Sequence, residues 1–440
     1  MKLAVAAHGR FVAFDHVRTL LRRGHDVVLL TNYPGWAVAR FGIDAARVRS
    51  FPLHGILARI GSRLHNTWAR DAYPEAAIHR LFGKWAAARI SRQSWDAVVC
   101  WSGIAEETLR RVGRAEALRL VVRGSAHIRA QARILEEEER RTGVRLQRPS
   151  RWMIAREERE YALADRVIVL STFAAGTFLA EGVPGEKVRI VPPGIDCGRF
   201  RPSPEVIEAR CARIAGGAPL RVLNVGTFSR QKGMTYMAEV IERLAPGRFE
   251  FRFVGAVARE AAGLRRRLRH RARFEPHRPE SRLPDVYAWG DVFVLPTLQD
   301  GFAVVLQQAA TSGLPVLTTR NGAGLDLIRE GLTGWVLPAG DAGAFVERLR
   351  WCDGHRAELA SMVRQASVAS IPGDGPEVAS ALEEALASDR LRPPSVDAGA
   401  RQPAAAGPHR GPGRVEHGHV GVAADRSGRG VVDATGRERS

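Results

Sequence analysis

Short apolar runs alternate with amphipathic stretches along most of the chain. Residues 3–7, Asp26–Thr31, Ala97–Trp101, Leu118–Arg123 and residues 167–170 read as buried parallel strands. The segments between them are long enough for crossover helices. Arg18 to His25 reads as the end of the first helix, with Gly24 just past it. The pattern breaks near residues 190–196 and restarts. Residues 220–226, 251–255, 291–295, 315–318 and Gly334–Leu337 form a second set. Strands alternating with helices predict an α/β fold with two Rossmann-like, doubly wound parallel sheets.

The break holds Pro192, Pro193, Gly194, Ile195 and Asp196, then Arg199, Phe200 and Pro202, and a short helix carrying Cys211. Clustered Pro and Gly suit a linker between domains. The division expected is a first domain over 1–190, a linker over 191–215 and a second domain over 216–370. A terminal helix follows over 371–388, then a tail over 389–440. The tail is rich in Gly, Pro, Ala and Arg and nearly free of large apolar residues, so it is expected to be disordered.

Composition narrows the partners only a little. The chain of 440 residues has 66 Lys+Arg against 47 Asp+Glu, a formal charge of +19. Such an excess favours nucleotide diphosphates, acidic lipid surfaces or nucleic acid, although a GC-rich genome also enriches arginine. Cys100, Cys197, Cys211 and Cys352 form no CxxC pair and have no His at zinc spacing. No apolar run reaches the ~20 residues of a membrane helix, and the apolar start is too short for a signal peptide. A cytoplasmic location is expected, at most against the inner face of a membrane.

The segment from Leu298 to Val316 carries the sharpest chemistry. Asp300 and Gly301 end a loop after a strand, and a helix is expected to open at Phe302 and Ala303. A helix start presents free N–H groups and a positive dipole end, which suits a diphosphate. Gly301 permits close backbone approach. Asp300 can accept from sugar hydroxyls, and Gln308 lies about two turns along the same face. The plain alternative is a strand–loop–helix corner with Asp300 as its cap. A second strand–loop–helix unit runs from Leu223 to Gly233 and carries Arg230 and Lys232 at its helix start.

Together these segments resemble the donor site of glycosyltransferase family 4, which has the retaining GT-B fold. The family pattern is Glu-Gly-Phe-Gly with a second Glu eight residues after the first. The two acids fall on Asp300 and Gln308 here, both departures. The resemblance implies that Asp300 positions the donor hexose and Gln308 the ribose. Lys232 matches the family lysine that neutralises the donor diphosphate, while the family arginine falls on Thr227. Arg230 is either a second cation or a solvated charge. The run from Tyr287 to Pro296 and the hinge from Val188 to Phe200 continue the match. In the first domain, Gly9 falls where the family has a glycine loop beneath the phosphates, or is a plain turn. His127 is placed by position as the histidine that touches the sugar and helps catalysis, or is incidental beside a capping Ser125. Arg123 is a phosphate contact or a strand-end charge.

The resemblance implies two domains facing each other across a cleft, with a hinge near Pro192–Gly194. It implies a nucleotide-sugar donor, a saccharide or lipid-linked acceptor, retention by front-face attack, and no cofactor. No Asp-x-Asp motif is present to hold a metal, so side-chain cations and helix termini would stabilise the leaving phosphate. Arg59, Arg63, Trp68, Arg70, Trp85, Arg89 and Trp95 suggest either peripheral contact with an anionic membrane or an amphipathic crossover helix with a solvated face. Nucleic acid is not expected as a partner, since no zinc finger or helix-turn-helix accompanies the charge. A degenerate sugar-nucleotide binder and an epimerase of the same fold remain alternatives.

Overall fold

The computed structural model describes residues 1–10, 12–67, 74–194, 198–369, 371–372 and 375–387, with only the backbone of 61–67. These fall in one compact unit, Met1–Leu391. The expected tail at 389–440, and Trp68, Arg70, Ile195, Asp196 and Cys197, lie outside the described residues.

The first sheet has seven parallel strands in the order β3-β2-β1-β4-β5-β6-β7. They are β1 (Lys2–Ala7), β2 (Asp26–Thr31), β3 (Val48–Ser50), β4 (Ala97–Trp101), β5 (Leu118–Arg123), β6 (Arg166–Val169) and β7 (Val188–Ile190). The second has six in the order β10-β9-β8-β11-β12-β13. They are β8 (Leu220–Val225), β9 (Phe249–Val254), β10 (Ala272–Glu275), β11 (Val292–Leu295), β12 (Val316–Thr319) and β13 (Gly334–Leu337). Helices cover both faces, so central strands are apolar on both sides; β4 and β11 are buried at every position.

In each sheet the strand order reverses once, between β1 and β4 and between β8 and β11. Loops at the carboxyl ends of strands beside such a reversal diverge and leave a crevice. Here the loops after β1, β8 and β11 carry Arg10, Thr227 and Asp300, and the two crevices face each other.

The linker segment contains a full helix, Pro204–Ala215, and this helix packs on the second domain. Its Arg210 is fully buried and donates to the carbonyls of Ser312, Gly313 and Tyr287. The helix Pro376–Leu386 instead returns to the first domain. There Arg166 Nη1 donates to the Glu384 and Ala385 carbonyls at 2.9 Å, and Val378 meets Gly194. His16 Nε2 lies 3.0 Å from the Pro192 carbonyl, which ties this segment to the first helix.

Candidate active site

The cleft between the sheets has a volume of about 1390 Å³ and is lined by residues of both domains. Its second-domain wall holds Gly226, Thr227, Lys232, Asp300, Phe302, Ala303 and Gln308. The first-domain wall holds Arg10, Asp15, Arg18 and Gly124.

The turn before the helix Met234–Arg243 presents Lys232. Its backbone N donates to the Ser229 carbonyl at 3.1 Å, and the turn closes on Gly233 in the left-handed region, φ +76°. A Cβ there would lie 1.7 Å from the Pro296 carbonyl oxygen, so only glycine lets this turn sit against the loop after β11. Leu298 N donating to Gln231 O at 3.0 Å straps the two loops together.

That strap brings Lys232 to Asp300, and the two form an ion pair. The other carboxylate oxygen, Oδ1, accepts from the N–H groups of Phe302 (3.2 Å) and Ala303 (3.1 Å). Asn321 buttresses the loop by accepting from Asp300 N at 2.9 Å and donating to Leu298 O at 2.8 Å. Asp300 therefore holds the chain ahead of the helix, as in the plain corner reading, and also faces Lys232.

The helix opens at Val304, two residues later than expected. Ala303 before it sits at φ +61°, the sole non-glycine residue with positive φ among those described. The family pattern has glycine at this fourth position. Sequence alone gave no sign that alanine here keeps the glycine conformation, a strained one for an L-residue.

Gln308 is 4% exposed and its Oε1 accepts from the Tyr287 hydroxyl at 2.9 Å. With its oxygen so engaged, the amide keeps its N–H donors for other partners.

Other candidates lie elsewhere. Gly301 does not line the cleft. A Cβ on it would come within 2.2 Å of the Gly124 carbonyl oxygen, so its missing side chain admits the first domain's backbone. Ser125 Oγ donating to Gln299 Oε1 at 2.9 Å continues this seam. His127 is buried, its ring centroid 5.1 Å from that of Tyr161 and 4.9 Å from that of Phe178. Its Nδ1 accepts from Arg129 N, so it caps the helix Ile128–Thr142, and burial lowers its pKa to about 4. The structure does not bring it to the cleft wall. Arg123 is an internal charge, paired at 2.9 Å with buried Glu157. Arg230 is held by the Glu260 carbonyl and Thr235 Oγ1, away from Lys232. Gly9 stays in the loop after β1, where its neighbour Arg10 is the cleft-lining group.

Arg10 was not singled out by sequence. It pairs across the cleft with Glu280 at 3.4 Å, above the ring of Phe41. The two residues are 270 positions apart, and nothing in the local pattern of either announces the other.

Two family models divide the chain. Residues 11–199 match the one described as Glycosyltransferase Family 4, and residues 219–352 match Glycosyl transferases group 1. Both models describe glycosyltransferases, and together they match most of the chain. Similar proteins include the sulfoquinovosyl transferase of Arabidopsis thaliana, 30% identical over 42% of this chain and 37% of that one. A GDP-mannose-dependent alpha-mannosyltransferase of Mycobacterium tuberculosis is 32% identical over 41% and 46%. The chain spans about half or less of the length of the curated relatives it matches. Anabaena HepE in complex with UDP and glucose superposes with a TM-score of 0.61 at 15% identity, covering 88% of this chain and 99% of that one. At that identity the likeness is one of fold, and the fold is GT-B.

Proposed function

We propose that this chain is a retaining glycosyltransferase. It moves a hexose from a nucleoside-diphosphate sugar to a hydroxyl of a saccharide or lipid-linked acceptor, without a metal. The observation that carries this reading is Lys232 paired with Asp300 at the mouth of the helix Val304–Thr311, inside the interdomain cleft. A cation and the N–H groups of a helix start converge where a diphosphate would sit, with a carboxylate beside them to order sugar hydroxyls. A uridine or guanosine diphosphate donor suits the site equally; one structural neighbour holds UDP and one relative is named for GDP-mannose.

In this mechanism the donor's C1–O bond breaks and the acceptor oxygen bonds to C1 on the same face. The acceptor proton passes to the leaving phosphate oxygen. Lys232 and the positive end of the helix Val304–Thr311 stabilise the growing phosphate charge, and Asp300, which holds the Phe302 and Ala303 N–H groups, orients the hexose. Gln308 donates to the ribose. The acceptor enters against the first-domain wall. A cytoplasmic enzyme with a lipid-linked acceptor would work against the inner face of a membrane.

The departures at Asp300, Gln308 and Thr227 keep one second reading alive, a sugar-nucleotide binder without turnover. Nucleoside diphosphate release from a panel of UDP- and GDP-hexoses, with candidate acceptors, separates the two. The epimerase alternative predicts turnover without an acceptor. Unchanged turnover in both Lys232→Ala and Asp300→Asn would overturn the site. Binding to nucleic acid with steep salt dependence, and none to either diphosphate, would overturn the function.

A further inference from the structure

We infer that the outward face of the helix Pro52–Thr67 docks the chain on an anionic lipid surface. Leu53, Ile56, Leu57 and Ile60 are 59%, 51%, 41% and 50% exposed. Their spacing of three and four places them in one stripe along the helix. This stripe is not the core face displaced. The opposite side is already packed: His54 is 1% exposed with Nε2 3.1 Å from the Ile78 carbonyl, and Gly55 lies under Asn32. The helix thus packs through His54 and Gly55 and leaves its apolar stripe to solvent.

The neighbouring helix Glu75–Ile90 extends the patch. It exposes Leu81 between Arg80 and Lys84, while Ile78, Phe82 and Ala86 face inward. Trp36 is 65% exposed under the guanidinium of Arg40. Six of the eleven exposed large hydrophobics among the described residues fall between Trp36 and Leu81. Single exposed aliphatics are ordinary, but four along one stripe of a helix are not.

Charge chooses the occupant. Among the described side chains from Pro52 to Ile90 are Arg59, Arg80, Lys84 and Arg89 against one acid, Glu75. Glu75 is engaged by Ser150. Aliphatic side chains rimmed by Arg59, Arg80 and Lys84 fit the boundary between headgroups and acyl chains of an anionic bilayer. Among the described residues no helix is long and apolar enough to cross a membrane, so the attachment is interfacial. The patch also lies at the carboxyl-end rim of the first sheet, because Gly55 packs on Asn32, directly after β2. That is the rim that bears Arg10 and the cleft. The surface therefore deepens the proposed function by favouring a lipid-linked acceptor, but docking itself needs neither donor nor turnover. Of the tryptophans weighed from sequence, Trp95 is 6% exposed and Trp85 stacks on Phe51, so neither contributes; Trp68 lies outside the described residues.

The test is co-sedimentation of the full chain with phosphatidylcholine vesicles, with and without phosphatidylglycerol, across a salt series. Binding should require phosphatidylglycerol and weaken as salt rises. Joint replacement of Leu53, Ile56, Leu57 and Ile60 by Ser should reduce binding at least about tenfold, with the thermal midpoint kept. Arg80→Glu with Lys84→Glu should weaken binding and flatten its salt dependence. No binding by the wild type, equal binding to neutral vesicles, or undiminished binding by the serine variant would overturn the inference. So would a wild-type dimer in sedimentation that the serine variant loses. Failure of the diphosphate-release assay alone would count against the proposed function and leave this result standing.

Discussion

Lys232, in the loop after β8, reaches Asp300, in the loop after β11, so the two groups assigned to the donor neutralise each other before any ligand arrives. An incoming diphosphate must share the lysine, and the sugar must share the carboxylate. Lys232→Ala should cut kcat/KM by roughly 10²–10³, the range for removing one preorganised transition-state contact. Asp300→Asn keeps the oxygen that accepts from Phe302 and Ala303, so it should lose turnover while the fold holds. Because the residues touch, the double variant should cost less than the sum of the singles. Steady-state kinetics of diphosphate release reads all three.

Gly301→Ala places a methyl group 2.2 Å from the Gly124 carbonyl oxygen. Backbone stands on both sides, so neither can swing away. The cleft should stay partly open, with kcat falling more than donor affinity and the radius of gyration rising in small-angle scattering. Full activity with an unchanged radius would refute this account of the seam.

Ala303 holds a left-handed conformation that costs an L-residue about 1 kcal/mol or more. Glycine removes that cost but adds chain entropy to the unfolded state. Ala303→Gly should therefore be neutral to stabilising, by at most about 1 kcal/mol. Ala303→Val should destabilise by roughly 1–3 kcal/mol. Chemical denaturation midpoints distinguish them.

Acid should unfold the first domain through its buried histidines. Burial lowers His16 and His79 to about 4 and His8 to about 3, from 6.5. The unfolded chain then binds more protons than the folded one below pH 6.5, so stability is complete above that pH and is lost as pH falls toward 4. For His16 the loss is on the order of 3 kcal/mol, at 1.36 kcal/mol per pKa unit. His16→Gln should flatten the dependence of melting temperature on pH between 4 and 6.5. An unaltered slope would show that His16 carries none of it.

The ten strands read from apolar runs are all present, and the three that escaped are β3, β7 and β10. Each is an edge strand of three or four residues. Val48 is buried, Arg49 exposed and Ser50 half-buried, so an edge strand lacks the unbroken apolar signal of a strand covered on both faces. The second-domain wall of the cleft was legible for a similar reason: Lys232, Asp300 and Gln308 each lie on a single strand–loop–helix unit. The cleft between domains was not. Arg10 meets Glu280, and Gly301 meets Gly124, only after both sheets have folded and docked. His127 does follow β5, and only the fold shows that its ring turns into the Tyr161–Phe178 pocket.

The contact of Gly301 with Gly124 bears on whether the halves of such proteins can be exchanged. A donor half transplanted onto a foreign acceptor half would bring its glycine loop against whatever backbone the new host offers. A bulkier or differently tilted loop there would hold the halves apart, however intact each remained by itself. Chimeras should therefore work only when the residues around 124 and 301 are inherited together, which makes this seam the unit to graft when altering which sugar is delivered to which acceptor.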